Sequence, residues 1–452
     1  MKFSLQPFAL IGFSFFLFSC TITWGDDPKE DEDCKKTCDN GVNYYNSFSV
    51  ETISLEELQA QIRVETARPY EETGKLYFYN NTLFVNESDS GVHVLDVTDP
   101  SAIEKSKFLQ LPGNIDIAIQ DNTMYADLYS AMVQLDISGL DNNQVIVNEV
   151  KTAVFDYDPY LIAWELIEAY EVDNDYYSRL EYEELNNIKG LGETVFISGL
   201  TYNGVKCDCN YILYNDIAFA ESSMDTSVAN PKTAAVGQGG SLARFTVIDN
   251  YLYGLTQQAI KIFRINESGS LSNWSSVGVT WGIETLYRLD DYLFIGSTSG
   301  MFIYDITDSG NPRFISEYEH FNACDPVVAE GDFAYVTLRS TNEWCANNVN
   351  QLQIVDISNV FEPTQVGVYN MFAPYGLAVR GDRVWVCDSS SGIKIMDVSD
   401  KNKPRVVQFI EDYDARDIIL RGNTAYVVTT TGIVVYDITN FDEPIEIGVQ
   451  QL

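Results

Sequence analysis

The sequence predicts an all-β chain folded as a seven-bladed β-propeller, with a mixed helix and hairpin insertion between blades 2 and 3. Three observations carry that prediction. A strand with an Asp near its end recurs as VHVLDVT, MVQLDIS, MFIYDIT, LQIVDIS, IKIMDVS and IVVYDIT, and a seventh copy, IKIFRIN, bears Arg264 in that place. The marker residues Asp96, Asp136, Arg264, Asp305, Asp356, Asp397 and Asp437 stand 40, 128, 41, 51, 41 and 40 apart, a regular period with two insertions. Taking a 90-residue insertion (151–240) out of the 378 residues from Lys75 to Leu452 leaves 41 for each of seven units. Four short strands in that span make a propeller blade.

The rest of each unit follows the same logic. A Gly, Asp or Asn turn followed by an apolar–aromatic–apolar run precedes the marker strand, as in Asn81 to Val85, Asp249 to Tyr253, Gly381 to Val386 and Gly422 to Val427. Seven residues after the Asp, Pro312, Pro363, Pro404 or Pro444 opens the last strand. Arg264 in blade 3 is expected to lose one turn hydrogen bond and no more. In a blade whose strands a to d run outward, the b–c loops and the d–a links open on one face. The insertion at 151–240 and the long b–c loop of blade 5, Arg339 to Gln351, are therefore expected on that face, where loops on a rigid scaffold carry binding. Within the insertion, Asp158-Pro159 reads as a helix start before Tyr160 to Val172, and Thr194 to Leu200 with Cys207 to Tyr214 reads as a hairpin through Asn203-Gly204.

Ahead of the propeller, Lys2 and the apolar run Phe8 to Leu17 read as a signal peptide, too short to span a bilayer. The expected segments are a leader at 1–19, a tether at 20–42 and the propeller at 43–452. Leu17-Phe18-Ser19-Cys20 resembles the lipobox of bacterial lipoproteins, which implies a lipidated Cys20. Asp26 to Asp33 holds six acids in eight residues, a self-repelling, extended stretch. It resembles the acidic export signal of surface lipoproteins, so the expected location is the outer membrane, facing outward. The repeated apolar-x-apolar-apolar-Asp strand resembles the LVIVD repeat of secreted bacterial proteins. That resemblance implies a propeller and no established chemistry.

Composition excludes several functions. Against 66 Asp and Glu there are 28 Lys and Arg, a net charge of −38, which excludes nucleic acid as a partner. Content of 45% apolar and 13% aromatic residues excludes a disordered chain. No Gly-x-Ser-x-Gly, phosphate loop or His-Glu-x-x-His occurs, and Asp173-Asn174-Asp175 lacks the Gly and Glu of a calcium loop.

The candidate site lies at the channel mouth, where Glu87, Asp127 and Asp388 end b strands and Asp116, Glu284, Asp325 and Asp417 begin a strands. A ring of carboxylates suits a Ca²⁺ ion, the one cofactor in view, or a carboxylate pair that cleaves glycosidic bonds; the third reading is acids solvated at the mouth of an acidic protein. Arg339, Trp281, Tyr375 and Trp344 are candidates for stacking on a sugar or clamping a carboxylate, with packing as the alternative. His320, in the blade 4–5 link, is a further ligand contact, and His93 reads as a sheet residue. In an oxidising compartment Cys324 and Cys345 are expected to pair across the mouth face. Cys34 or Cys38 with Cys207 or Cys209 is a second pairing, a soft-metal site from those four an alternative, and Cys387 the free thiol or a rival partner. The expected role is a binding module anchored through its lipid, with a glycan or a basic protein as partner. The alternatives are a polysaccharide hydrolase or lyase and a structural organiser of the envelope.

Overall fold

The computed structural model describes residues 51–71, 73–152, 154–155, 194–197, 235–320, 326–340 and 349–451. Seven antiparallel sheets follow one another along the chain, each built on four strands in the order a-b-c-d. The a strands are Thr73–Tyr79, Ile117–Gln120, Phe245–Ile248, Ile283–Leu289, Val327–Glu330, Leu377–Arg380 and Ala415–Arg421. They lie innermost, and contacts between neighbouring a strands close the ring.

Local chemistry builds each blade. Every a–b turn opens on a residue with left-handed φ, from 48° to 57°: Asn80, Asp121, Asp249, Asp290, Gly331, Gly381 and Gly422. Two-residue turns of this hand match the twist of the strands they join, and Asn, Asp and Gly tolerate them. The b strand then places one aromatic in the middle of the blade: Phe84, Tyr125, Tyr253, Phe294, Tyr335, Trp385 and Tyr426 are all at most 3% exposed. The marker Asp ends strand c, and its Oδ1 accepts the amide two residues on, at 2.8 Å for Asp96, Asp136, Asp305 and Asp437 and at 2.9 and 3.0 Å for Asp356 and Asp397. In each blade the amide of the residue right after the marker couples this turn to the a–b turn. Val97, Ile137, Ile265, Ile306, Ile357, Val398 and Ile438 donate to Asn81, Asn122, Asn250, Asp291, Asp332, Asp382 and Asn423 at 2.7–3.0 Å. Blade 3 keeps that bond with Arg264 in the Asp position and closes its c–d turn through Asn266, whose amide donates to Ser270 O at 2.9 Å.

Blade 1 is wider than a four-stranded unit. Arg63–Thr66, following the helix Leu55–Gln61, pairs with strand d and makes a fifth, outer strand. A capping box between Ser54 and Glu57 starts that helix, and Leu58 buries its inner face. Residues ahead of the first blade thus add a strand to blade 1, not to blade 7. Blades 7 and 1 meet by packing, with Thr73 Oγ1 donating to Thr429 O at 2.7 Å and the Leu76 amide to Asp417 Oδ2 at 3.2 Å.

The predicted insertion needs a correction. Lys151 is the last residue of strand d in blade 2, and Gln238–Gly239 pair with Phe78 and Tyr77 as a strand on the inner edge of blade 1. The segment begins beside the blade 2 a–b turn, where Ala235 O accepts the Asp121 amide at 3.0 Å. It runs antiparallel to strand a and leaves at the opposite end, as Arg244 and Phe245 start blade 3. Residues 235–240 therefore line the channel, and the insertion does not stay on one face: Phe155 meets the b–c loop at Ser130 O, whereas Ala235 stands at the far face. The expected helix 160–172 lies outside the described residues. Of the expected hairpin, Thr194–Ile197 is a strand paired with Glu51–Ser54.

Candidate functional site

The channel holds its own chain. Glycine is required along the inner strand, because a Cβ at Gly237 would sit on the Tyr77 ring and one at Gly240 on Asp417 Oδ2. What remains is a cavity of about 80 Å³, lined by Gln238, Ser241, Tyr287, Leu377, Arg380 and Ile418 among others. That space holds a few waters, far below the roughly 300–1,000 Å³ of a small-molecule site. Residues 235–240 take up lumen space that a larger ligand would need, which leaves the mouth as the more open end.

At the mouth, five of the seven predicted acids accept backbone amides. Glu87, 2% exposed, accepts the Glu71 amide at 2.9 Å and lies 2.6 Å from His93 Nε2. His93 is fully buried between Tyr70 and Phe108, so it is a core residue as expected from its strand. Asp127 accepts the amides of Ile115 and Asp116 at 2.9 and 3.0 Å and Asn114 Nδ2 at 2.8 Å. Burial still pushes its carboxyl up to about 6. Asp116 takes the Phe245 amide at 3.0 Å and the Arg244 amide, holding the start of blade 3. Asp388 accepts the Phe372 and Ala373 amides at 3.0 and 2.7 Å and pairs with Lys394.

Asp417 is the most connected of them. It is fully buried, accepts the Leu76 amide of blade 1 and the Ser241 hydroxyl at 3.3 Å, and Ser241 Oγ in turn accepts the Leu377 amide of blade 6 at 2.9 Å. One carboxylate thereby ties blades 7, 1 and 6 to the channel strand. Burial, set against those donors and the nearby Lys75, pushes its carboxyl up to about 7.

A ring of oxygens closing on an ion is not seen among the described residues, and Asp325 of that set lies outside them. Among the described residues no three His, Cys, Asp or Glu side chains are grouped to hold a metal. Sequence spacing located these acids near the ends of the a and b strands but could not show that link amides bond to them. Glu284 is half-buried and close enough to Arg339 to interact with it electrostatically, and Asp325 lies outside the described residues. His320 stands in the blade 4–5 link, its amide donating to Ser299 O at 3.1 Å and its ring tilted 6.3 Å from Tyr318. Cys387 is a buried free thiol, pushed well up by burial and by the charges of Asp417 and Asp388. Cys20, Cys34, Cys38, Cys207, Cys209, Cys324, Cys345 and Trp344 lie outside the described residues.

Basic residues also stand at the mouth, the predicted Arg339 among them. Arg339, at the end of strand b in blade 5, lies with its Cζ 3.7 Å from the ring centre of Tyr375, and Arg416 of blade 7 lies 4.4 Å from the same centre. Burial lowers the Arg339 pKa. Lys75 of blade 1 lies 3.6 Å from Asp116 Oδ2, and burial lowers its amine. Around this cluster the d–a links display Ile115, Trp281 and Phe372 at 37%, 43% and 59% exposure. Lys75, Arg244 and Arg416 had no signal in the sequence beyond their places at a-strand starts.

The LVIVD repeat matches residues 322–371, 375–410 and 413–450, the last three blades of the ring. The chain thus carries LVIVD repeats over these blades, and the other four share their four-stranded order and a–b turn geometry. No curated protein matches the sequence significantly. Among solved structures, the periplasmic gluconolactonase PpgL of Pseudomonas aeruginosa is similar at 10% identity and a TM-score of 0.48, over 86% of this chain and 96% of that one. BamB of Moraxella catarrhalis is similar at 10% and 0.44, over 86% and 98%. The computationally designed Ika8 protein is similar at 10% and 0.47, over 86% and 92%. At these scores the likenesses carry no functional argument.

Proposed function

We propose that this chain is a lipid-anchored propeller of the outer membrane, displayed at the cell surface, that binds its partner through the face bearing the d–a links. The observation that carries this reading is the filled channel. With residues 235–240 lying along the lumen, the links around the mouth are the surface the scaffold presents. The mouth acids support the same view, because their oxygens hold the links in fixed positions. A rigid ring with pinned links is preorganised for recognition. The exposed Trp281 and Phe372 on those links are the residues a partner would cover, and aromatic anchors of this kind dominate binding energy. A glycan or a basic protein remains the partner class, since a charge of −38 steers cations toward the molecule. The lipid on Cys20 supplies the anchor.

The hydrolase reading finds less support in the geometry. A glycosidase needs two carboxylates free to face the scissile bond. Glu87, Asp116, Asp127, Asp388 and Asp417 each accept at least one backbone amide instead. The test is capture of envelope glycans and proteins by the full-length chain in detergent. Trp281→Ala with Phe372→Ala should abolish capture at unchanged melting temperature, while Phe314→Ala on the outer edge of blade 4 leaves it intact. Capture indifferent to the link substitutions, or turnover of a captured glycan, would overturn the reading.

A further inference from the structure

In a chain with 66 acids and 28 basic residues, Lys75, Arg244, Arg339, Lys394 and Arg416 gather at one end of the channel. Lys75 Nζ, Arg244 Nε and Arg339 Nε are buried donors with no hydrogen-bond acceptor among the described residues, while the acids beside them are bonded to amides. Buried polar atoms are nearly always satisfied in a native protein, so these three cationic donors call for acceptors beyond the described residues.

We propose that Arg339, Arg416 and the ring of Tyr375 form a binding site for the carboxylate of a small, singly charged ligand. The inference rests on the link face being the binding surface, and it assigns the chemistry recognised there. Stacking over Tyr375 holds both guanidinium groups in defined planes, and a planar fork of donors matches a carboxylate in a bidentate pair. Each guanidinium carries five donors in a fixed fork. Asp414 Oδ2 is 3.3 Å from the Arg416 guanidinium, and Glu284 is the acid near Arg339. Those two acids also set the charge of the ligand. Two guanidiniums less two nearby carboxylates leave little field for a polyanion, and the net charge of −38 repels one at longer range. A single carboxylate carries the least of that repulsion. The neutral body of the ligand then faces the links that display Trp281 and Phe372.

The experiment is calorimetric titration of the full-length chain in detergent at near-physiological salt. The probes are D-glucuronate, its neutral methyl ester and inorganic sulfate. Glucuronate should bind and the ester should not. Arg416→Gln and Arg339→Gln should each weaken binding about tenfold or more, the loss expected for one charge-assisted pair. Arg313→Gln, on the exposed edge of blade 4, should change nothing. Circular dichroism melts show which Arg variants keep the fold, and Arg416, part exposed, is the milder of the two. Sulfate binding more tightly than glucuronate would overturn the singly charged ligand. Equal binding of acid and ester, or no heat from any probe, would overturn the carboxylate site. The link-face reading would survive either result, and it falls if capture ignores Trp281→Ala and Phe372→Ala.

Discussion

Asp417→Asn separates two roles that one carboxyl holds at the point where the ring closes. In the folded protein the group is pushed up to about 7, against 3.8 in an exposed chain. Between those values the folded state holds a proton that the unfolded state releases, so stability from this group is greatest below the unfolded value and falls as pH rises toward the folded one. The gap of about three pH units corresponds to on the order of 4 kcal/mol lost by pH 8, at about 1.36 kcal/mol per unit. Asparagine cannot ionise, so it removes this slope. It also replaces an oxygen with an NH₂ near the Leu76 amide and Ser241, where losing an acceptor for a buried donor costs about 1–3 kcal/mol. Chemical denaturation at pH 5, 6, 7 and 8 should therefore show the variant clearly weaker at pH 5 and level with, or above, the parent at pH 8. Parallel stability curves for the two proteins would refute the reasoning. Asp127, pushed up to about 6, keeps part of the parental slope in the variant.

Three further outcomes follow from the packing. Gly240→Ala places a methyl on Asp417 Oδ2 and should unseat the channel strand, lowering the melting temperature far more than Gly422→Ala, which meets nothing within 4 Å and carries only its φ of +54°, a strain of about 1–2 kcal/mol. Asp356→Ala removes the bonds from the Ser358 amide and hydroxyl, at 2.9 and 2.6 Å, and should cost about 1–2 kcal/mol by denaturant titration, with Phe361→Ala as a neutral surface control. Cys387, buried and pushed well up, should react with a thiol reagent only at the rate of unfolding, and immediate labelling of the native chain would contradict its place in the core.

The blade was legible in the sequence because its signals are local. A left-handed turn demands Asn, Asp or Gly at its first position, the b strand needs an aromatic at the blade centre, and the marker Asp caps a turn two residues away. All three recur at a fixed spacing whatever the distant contacts. The channel strand was not legible, because Gln238 and Gly239 pair with Phe78 and Tyr77, some 160 residues earlier, through backbone atoms alone. Its one trace was the run Gly237-Gln238-Gly239-Gly240, which close approach to Tyr77 and Asp417 requires. The mouth acids fall between these cases. Their position followed from strand register, but their partners are amides of the links, which leave no mark on side-chain patterns. The two guanidiniums over Tyr375 come from blades 5 and 7, with the ring between them from the blade 5–6 link, and only the closed ring brings them together.

The most direct test of the link face as the binding surface is hydrogen exchange on the full-length chain, with and without a captured glycan or protein. Slower exchange on binding is predicted in the links at residues 112–116, 279–284, 371–376 and 411–416. Protection confined to the outer d strands, or to residues 235–240 inside the channel, would contradict it.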